Sequence, residues 1–210
     1  MSQLEAASPL KYLLLTNMLR NGDQLYNPLT KKTFIFLLTS QDTNGEYLKI
    51  KCIADVGSKQ RSGFVHKHPA QTEIITVQSG SMMTIVNGKK VRYDAGEMLV
   101  IQPGTSHQWW NASKKEELNI ISEVRPALKT AEMYEAACSF AQARHAAGKE
   151  APTLLHLAVM LDYYGDHYVI AGRWTLVKKA AFKVLAAIGR LKGYTPEWHS
   201  EPMIISNSAA

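Results

Sequence analysis

Three histidines and one glutamate between residues 66 and 107 have the types and spacing to hold a metal ion. The stretch Phe64-Val65-His66-Lys67-His68-Pro69-Ala70-Gln71-Thr72-Glu73 sets two histidines one residue apart and follows them with a carboxylate. Alternate residues of a β-strand share a face and lie about 6–7 Å apart, so His66 and His68 can aim their imidazoles at one point. Glu73 opens the next strand after a proline-containing turn and can bring its carboxylate to the same point. A third imidazole is available at His107, just beyond Pro103-Gly104. Three neutral imidazoles and one carboxylate suit a borderline divalent ion: iron, manganese, nickel, copper, cobalt or zinc. Four protein ligands leave two positions of an octahedron for water or substrate. A lone H-x-H on a strand is usually a surface or core feature. Here three of the seven histidines fall at the required places, together with Glu73 and turn glycines. His145, His156, His167 and His199 lie in the last third of the chain and read as structural.

The elements that must position these side chains are mainly β. Phe34–Leu38, Tyr47–Ile53, Glu73–Val77, Met82–Val86 and Met98–Ile101 are short runs rich in Ile, Val, Leu, Phe and Thr, with Leu118–Val124 as a closing strand. Turn signals separate them, including Asn44-Gly45, Asp94-Ala95-Gly96 and Pro103-Gly104. Short strands with regular turns predict a sandwich or barrel. Asn87-Gly88, ahead of Val91–Tyr93, predicts a type I′ hairpin. After Arg125-Pro126 the texture becomes helical. Ala127–Ala147 has its acids early and its bases late, matched to the helix dipole. Thr153–Tyr164 and Thr175–Leu191 follow, each closed by a glycine soon after. The chain divides into an N-terminal arm (1–29), a β-barrel (30–125), a helical extension (126–195) and a tail (196–210).

Hydrophobic residues make up 46% and charged residues 20% of the 210, which is ordinary for a globular protein and excludes collagen and disorder. Runs such as Tyr12–Leu15 are far too short to cross a bilayer, and Met1–Pro9 lacks the charged-then-apolar pattern of a secretory signal. Cys52 and Cys138 have no C-x-x-C spacing, so a reducing, cytoplasmic setting is expected. The net charge is +6, but its location matters more than its size. Residues 167–196 carry six Lys or Arg and no acid, while the rest of the chain is close to neutral. That distribution argues against a nucleic-acid partner. In the last helix Leu176, Val177, Ala180, Ala181, Val184, Leu185, Ile188 and Leu191 share a face, with Lys178, Lys179, Lys183 and Arg190 opposite. The expectation is that this stripe packs on the protein's own domain with the lysines in water, with contact to an anionic membrane surface as the lesser alternative.

The ligand candidates lie in two motifs that resemble those of the cupin superfamily. The first, G-x5-H-x-H-x3-4-E-x6-G, is matched by His66-x-His68-x4-Glu73-x6-Gly80. The second, G-x5-P-x-G-x2-H-x3-N, is matched by Gly96-x5-Gln102-x-Gly104-x2-His107-x3-Asn111. Gln60 stands where the first motif has its leading glycine, and the proline of the second sits one place on, at Pro103. Both departures touch turns and not ligands. The resemblance implies a mainly β fold, a double-stranded β-helix (jelly-roll) barrel with C-terminal α-helices, holding one mononuclear metal ion through His66, His68, Glu73 and His107. It implies no single reaction, because cupins include dioxygenases, isomerases, epimerases, lyases, sensors and storage proteins. Glu123-Val124-Arg125-Pro126-Ala127-Leu128 and Gly189-Arg190-x2-Gly193-Tyr194 are also similar to single-cupin bacterial proteins with a helical extension.

Strand parity assigns the pocket lining. Phe64 shares a face with His66 and His68, Ile75 and Val77 follow Glu73 inward, and Trp109 and Asn111 share the face of His107. Gln102 offers a polar contact. Such a pocket lacks the Arg and Lys cluster that a sugar phosphate requires, and favours a small, partly apolar organic molecule. The expected activity is dioxygenase-like or isomerase-like, with Glu73 as a ligand throughout or as a base that detaches. The alternative is a non-catalytic protein that binds or senses a small molecule. A homodimer is expected, because exposed sheet edges in small folds commonly pair.

Overall fold

The computed structural model describes residues 19–58, 65–149, 153–165, 167–171 and 176–196, with the backbone alone at 176–179. Ten strands come first: β1 (Gln24–Asn27), β2 (Lys32–Leu38), β3 (Leu48–Ala54), β4 (His66–Lys67), β5 (Thr72–Ser79), β6 (Ser81–Val86), β7 (Lys89–Asp94), β8 (Met98–Ile101), β9 (His107–Asn111) and β10 (Leu118–Arg125). Helix α1 (Thr130–Ala146), helix α2 (Leu154–Tyr163), the short strand β11 (Val169–Ile170) and helix α3 (Leu176–Leu191) follow. The strands form two antiparallel sheets, in the orders β1-β2-β3-β10-β5-β8 and β11-β4-β9-β6-β7. This is the jelly-roll barrel with C-terminal helices.

Alternation decides which side chains enter the barrel. In β3 and β10 every second residue is buried, and Leu48, Ile50, Leu118 and Ile120 are at most 1% exposed. Each such side chain contributes about 1.5–3 kcal/mol of burial. At Asn87 and Gly88 the backbone takes φ of 47° and 80°, and Val86 pairs with Lys89, as a two-residue primed hairpin requires. Gly80, between β5 and β6, has φ 78°, and a Cβ there would lie 2.5 Å from the Glu117 carbonyl oxygen. Only glycine fits that turn.

Two features cross the expected segment boundaries. Strand β1 lies within the stretch expected as an N-terminal arm, yet it pairs with β2 from Gln24↔Ile35 to Asn27↔Lys32. Strand β11 lies within the helical extension, yet it pairs with β4, Ile170 opposite His66. The extension is thus stitched into the barrel. Gln71 reinforces the join, its Nε2 donating to the Pro126 carbonyl and the Thr130 hydroxyl, both at 2.8 Å. Gln142 Nε2 on α1 donates to the Tyr26 carbonyl on β1 at 2.8 Å. Helix α2 begins at the N-cap Thr153, whose side chain accepts from the His156 amide.

Helix α3 departs from expectation. Val184, Ile188 and Leu191 of the supposed inner stripe are 58%, 39% and 88% exposed, whereas Ala186 and Gly189 are buried. A Cβ on Gly189 would lie 2.7 Å from Val159 Cγ2 and 3.0 Å from the Leu155 carbonyl oxygen. The helix therefore packs on α2 through its smallest side chains. Close backbone approach, and not side-chain hydrophobicity, selects the inner face. Among the described residues no helix is long and apolar enough to cross a membrane.

Candidate metal centre

The two sheets bring the four ligand candidates together at one end of the barrel. His66 on β4 is the register partner of His107 on β9, and His68 follows one residue beyond β4. Glu73 comes from the opposite sheet, on β5 between β8 and β10. Their ligand atoms all lie within 4.8 Å of one another. Bonds of about 2.0–2.2 Å put two ligands of one ion at most ~4.4 Å apart, so a few tenths of an ångström of contraction complete the site. His68, Glu73 and His107 are buried and His66 is half-buried.

Hydrogen bonds to backbone carbonyls orient two of the rings. His68 Nδ1 lies 2.7 Å from the His167 carbonyl oxygen, and His107 Nδ1 lies 3.0 Å from that of Thr105. A carbonyl can only accept, so each Nδ1 carries the proton and each Nε2 is left with its lone pair. Those Nε2 atoms face Glu73 Oε2 at 3.6 and 3.1 Å. His107 Nε2 is buried and has no hydrogen-bond partner. Lone pairs that converge on one point beside a carboxylate form a donor set that fits a divalent ion.

The protonation balance of the ion-free cluster agrees. Burial alone would raise Glu73, but His107 and His68 hold its carboxyl well below the usual range. Burial alone would lower His68, but the Glu73 carboxylate and the His167 carbonyl outweigh it and raise its pKa. Protons fill the role that the cation takes over when it binds. The far oxygen of the carboxylate is also fixed, because the Ser122 hydroxyl donates to Glu73 Oε1 at 2.8 Å.

The helical extension completes the centre. Tyr168 stacks on His66 at 4.3 Å between centroids and 17° between planes. The Ala171 amide donates to the Val65 carbonyl at 2.8 Å, so the β11 segment holds β4 from outside. Above the cluster lies a mostly apolar cavity of about 260 Å³. Its floor includes His66, His68 and Glu73, its side wall Lys32, Phe34 and Trp109, and its roof Tyr134 on α1 and Met160 on α2. Burial, with Glu73 nearby, pushes the Tyr168 and Tyr134 phenols up and keeps them protonated.

The expected pocket residues divide accordingly. Trp109 lines the cavity. Phe64 lies outside the described residues. Ile75 and Val77 face inward but belong to the packed core, 0% and 1% exposed, and do not line the cavity. At about 3.3 Å per residue they sit ~7 and ~13 Å down the strand from Glu73. Asn111 is equally deep, and its amide donates to the carbonyls of Ala54 at 3.1 Å and Glu116 at 2.8 Å, which closes a loop. Gln102 is exposed on its turn and makes no part of the wall. Sequence reasoning missed Lys32, Tyr134 and Tyr168. Lys32 left a signal, since it is in phase with Phe34 and Phe36 on the buried face of β2.

A jelly-roll barrel on which three histidines and a glutamate converge has a side-chain cluster positioned to hold a metal ion. Residues 54–122 match the family model of the cupin domain, so the barrel carries a cupin domain. No curated protein matches the sequence. Among solved structures the chain is similar to a predicted oxalate decarboxylase from Thermotoga maritima, at 21% identity over 52% of this chain and 99% of that one (TM-score 0.44). It is also similar to an RmlC-like cupin from Shewanella frigidimarina, at 18% identity over 55% and 95% (TM-score 0.44). A third is a sugar phosphate isomerase of the cupin superfamily from Silicibacter pomeroyi, at 15% identity over 53% and 73% (TM-score 0.40).

Proposed function

We propose that the protein binds one divalent metal ion through His66, His68, Glu73 and His107. It uses that ion on a small, partly apolar organic molecule in an oxygenase-like or isomerase-like reaction. The observation that carries this reading is the convergence of the four ligand atoms on the floor of a mostly apolar cavity. The ion, when bound, supplies Lewis acidity toward a carbonyl or enolate oxygen, or a binding position for dioxygen.

The chain's own residues do the rest. With Oε1 held by Ser122 and Oε2 turned to the histidines, Glu73 is a fixed ligand in preference to a detaching base. Proton transfer then falls to the cavity wall, where the protonated Tyr168 phenol is the nearest candidate, stacked on a ligand. The roof of α1 and α2 gives an apolar substrate its contact surface. The same reading takes the protein as a homodimer paired through edge strand β8, whose Met98 and Val100 are 58% and 45% exposed.

Elemental analysis of the purified protein beside His66→Ala tests the centre. The reading expects one equivalent of metal in the wild type and loss in the variant. Unchanged metal content in the variant would sink the ligand assignment. Oxygen uptake or isomer formation with candidate substrates then separates the two reactions, and binding without consumption would assign the site to a carrier or sensor.

A further inference from the structure

The cavity wall carries a buried cation that the metal centre does not use. Lys32 opens β2, is 9% exposed, and places Nζ 3.5 Å from the centroid of the Trp109 ring. Among the described residues it makes no hydrogen bond and no ion pair. A ring face offsets only part of the cost of taking an ammonium out of water. Burial lowers the Lys32 pKa, and the nearby Cys52 and Glu73 counter it only in part, as expected for a charge lacking a partner.

Two residues earlier, Thr30 lines the same cavity, and its hydroxyl is buried with no hydrogen-bond partner. The turn that presents both is braced by Asn27, whose Oδ1 accepts from the Leu29 and Thr30 amides, each at 3.1 Å. A donor and an ammonium are thus preorganised on one wall, neither with a hydrogen-bond partner among the described residues.

The charge balance says what they bind. A divalent ion held by one carboxylate leaves the centre positive, and Lys32 adds a second positive charge to the same cavity. Lys32 is the only Lys or Arg on the described wall, and one ammonium with one hydroxyl matches a carboxylate. Phe34, Leu157 and Met160 make the remaining surface apolar.

We propose that Lys32, with Thr30, anchors the carboxylate of an organic acid whose apolar body fills the cavity and whose reacting oxygen faces the metal centre. This deepens the metal-dependent reading above and rests on it for the reacting end, though not for the anchor.

The test compares 3-phenylpropionate with its neutral isostere 3-phenylpropionamide by calorimetry, on metal-loaded and chelator-treated protein. The wild type is expected to prefer the carboxylate by at least about tenfold, the lower bound for a hydrogen bond to a charged group. Lys32→Met keeps the stem and removes the ammonium. It is expected to abolish the preference while leaving amide binding within about twofold. Equal binding of the two probes by the wild type, no binding of the carboxylate, or a preference that survives in Lys32→Met would each overturn the proposal. Thr30→Val, expected to weaken carboxylate binding alone, keeps the test open if Lys32→Met fails to fold. Protein that takes up no metal but keeps the Lys32-dependent preference retains the anchor and loses the metal reading. Protein that takes up metal without discriminating between the probes loses the anchor alone.

Discussion

Removing the Ser122 hydroxyl isolates the support of the carboxylate ligand. Ser122 lies on β10, 2% exposed, two residues from Val124, the register partner of Glu73. Its Oγ donates the one hydrogen bond that Glu73 Oε1 receives among the described residues, at 2.8 Å. Ser122→Ala deletes that donor and changes almost nothing in volume. A hydrogen bond to a charged group contributes about 1.5–3 kcal/mol, so the metal-free protein is expected to lose ~2 kcal/mol of unfolding free energy. The metal-bound protein loses more than this, because a carboxylate free to rotate must be ordered when the ion binds. Outer-shell partners of this kind are worth about 10–100-fold in metal affinity, equivalent to ~1.4–2.7 kcal/mol. Chelator competition with Co²⁺ or Zn²⁺ reads the second quantity, and urea unfolding of metal-free protein reads the first. Ser122→Thr, which keeps a hydroxyl, is expected to recover most of the affinity. If Ser122→Ala binds metal as tightly as the wild type while losing stability, Ser122 serves the barrel and the claim that it orients Glu73 is wrong.

Three further outcomes are expected. Lys32 has a folded pKa below its ordinary 10.5, so the unfolded chain binds the extra proton between the two values and stability rises with pH across that window. The stability of metal-free wild type relative to Lys32→Met is therefore expected to improve as pH climbs toward 10.5, and a flat difference would contradict the burial of the ammonium. Gly189→Leu forces α3 away from Val159 and Leu155, with a cost of at least ~1–3 kcal/mol and faster hydrogen exchange in α2 and α3; unchanged exchange would refute the close packing. Burial pushes the Cys52 thiol up to about 12 and raises Cys138 as well. Both thiols are expected to resist Ellman's reagent until denaturant is added, and rapid labelling of the native protein would show that the core is open.

The local parts of this protein are legible in its residue pattern. Alternation of apolar residues located β2, β3, β5, β6, β8 and β10, and Asn87-Gly88 specified its hairpin, because these features depend on nearest neighbours along the chain. Two-residue periodicity put His66 and His68 on one face for the same reason, while Glu73 and His107 joined them through the resemblance of the two motifs. It does not fix depth. Ile75, Val77 and Asn111 share the parity of the ligands, yet lie below the cavity in packed core or loop contacts. The face of α3 was likewise undecided, since the fit of Ala186 and Gly189 against α2 outweighed the larger apolar stripe. Only the tertiary structure brought His167 and Tyr168 onto ligands about a hundred residues earlier, and only it roofed the cavity with α1 and α2. Such contacts form between segments that carry no trace of one another in sequence, and they are settled by which surfaces pack without leaving voids or unpaired polar groups. The types and spacing of the candidate ligands were thus written in the chain, and the cavity walls, the hydrogen bonds that hold the rings and the buried cation were decided by packing.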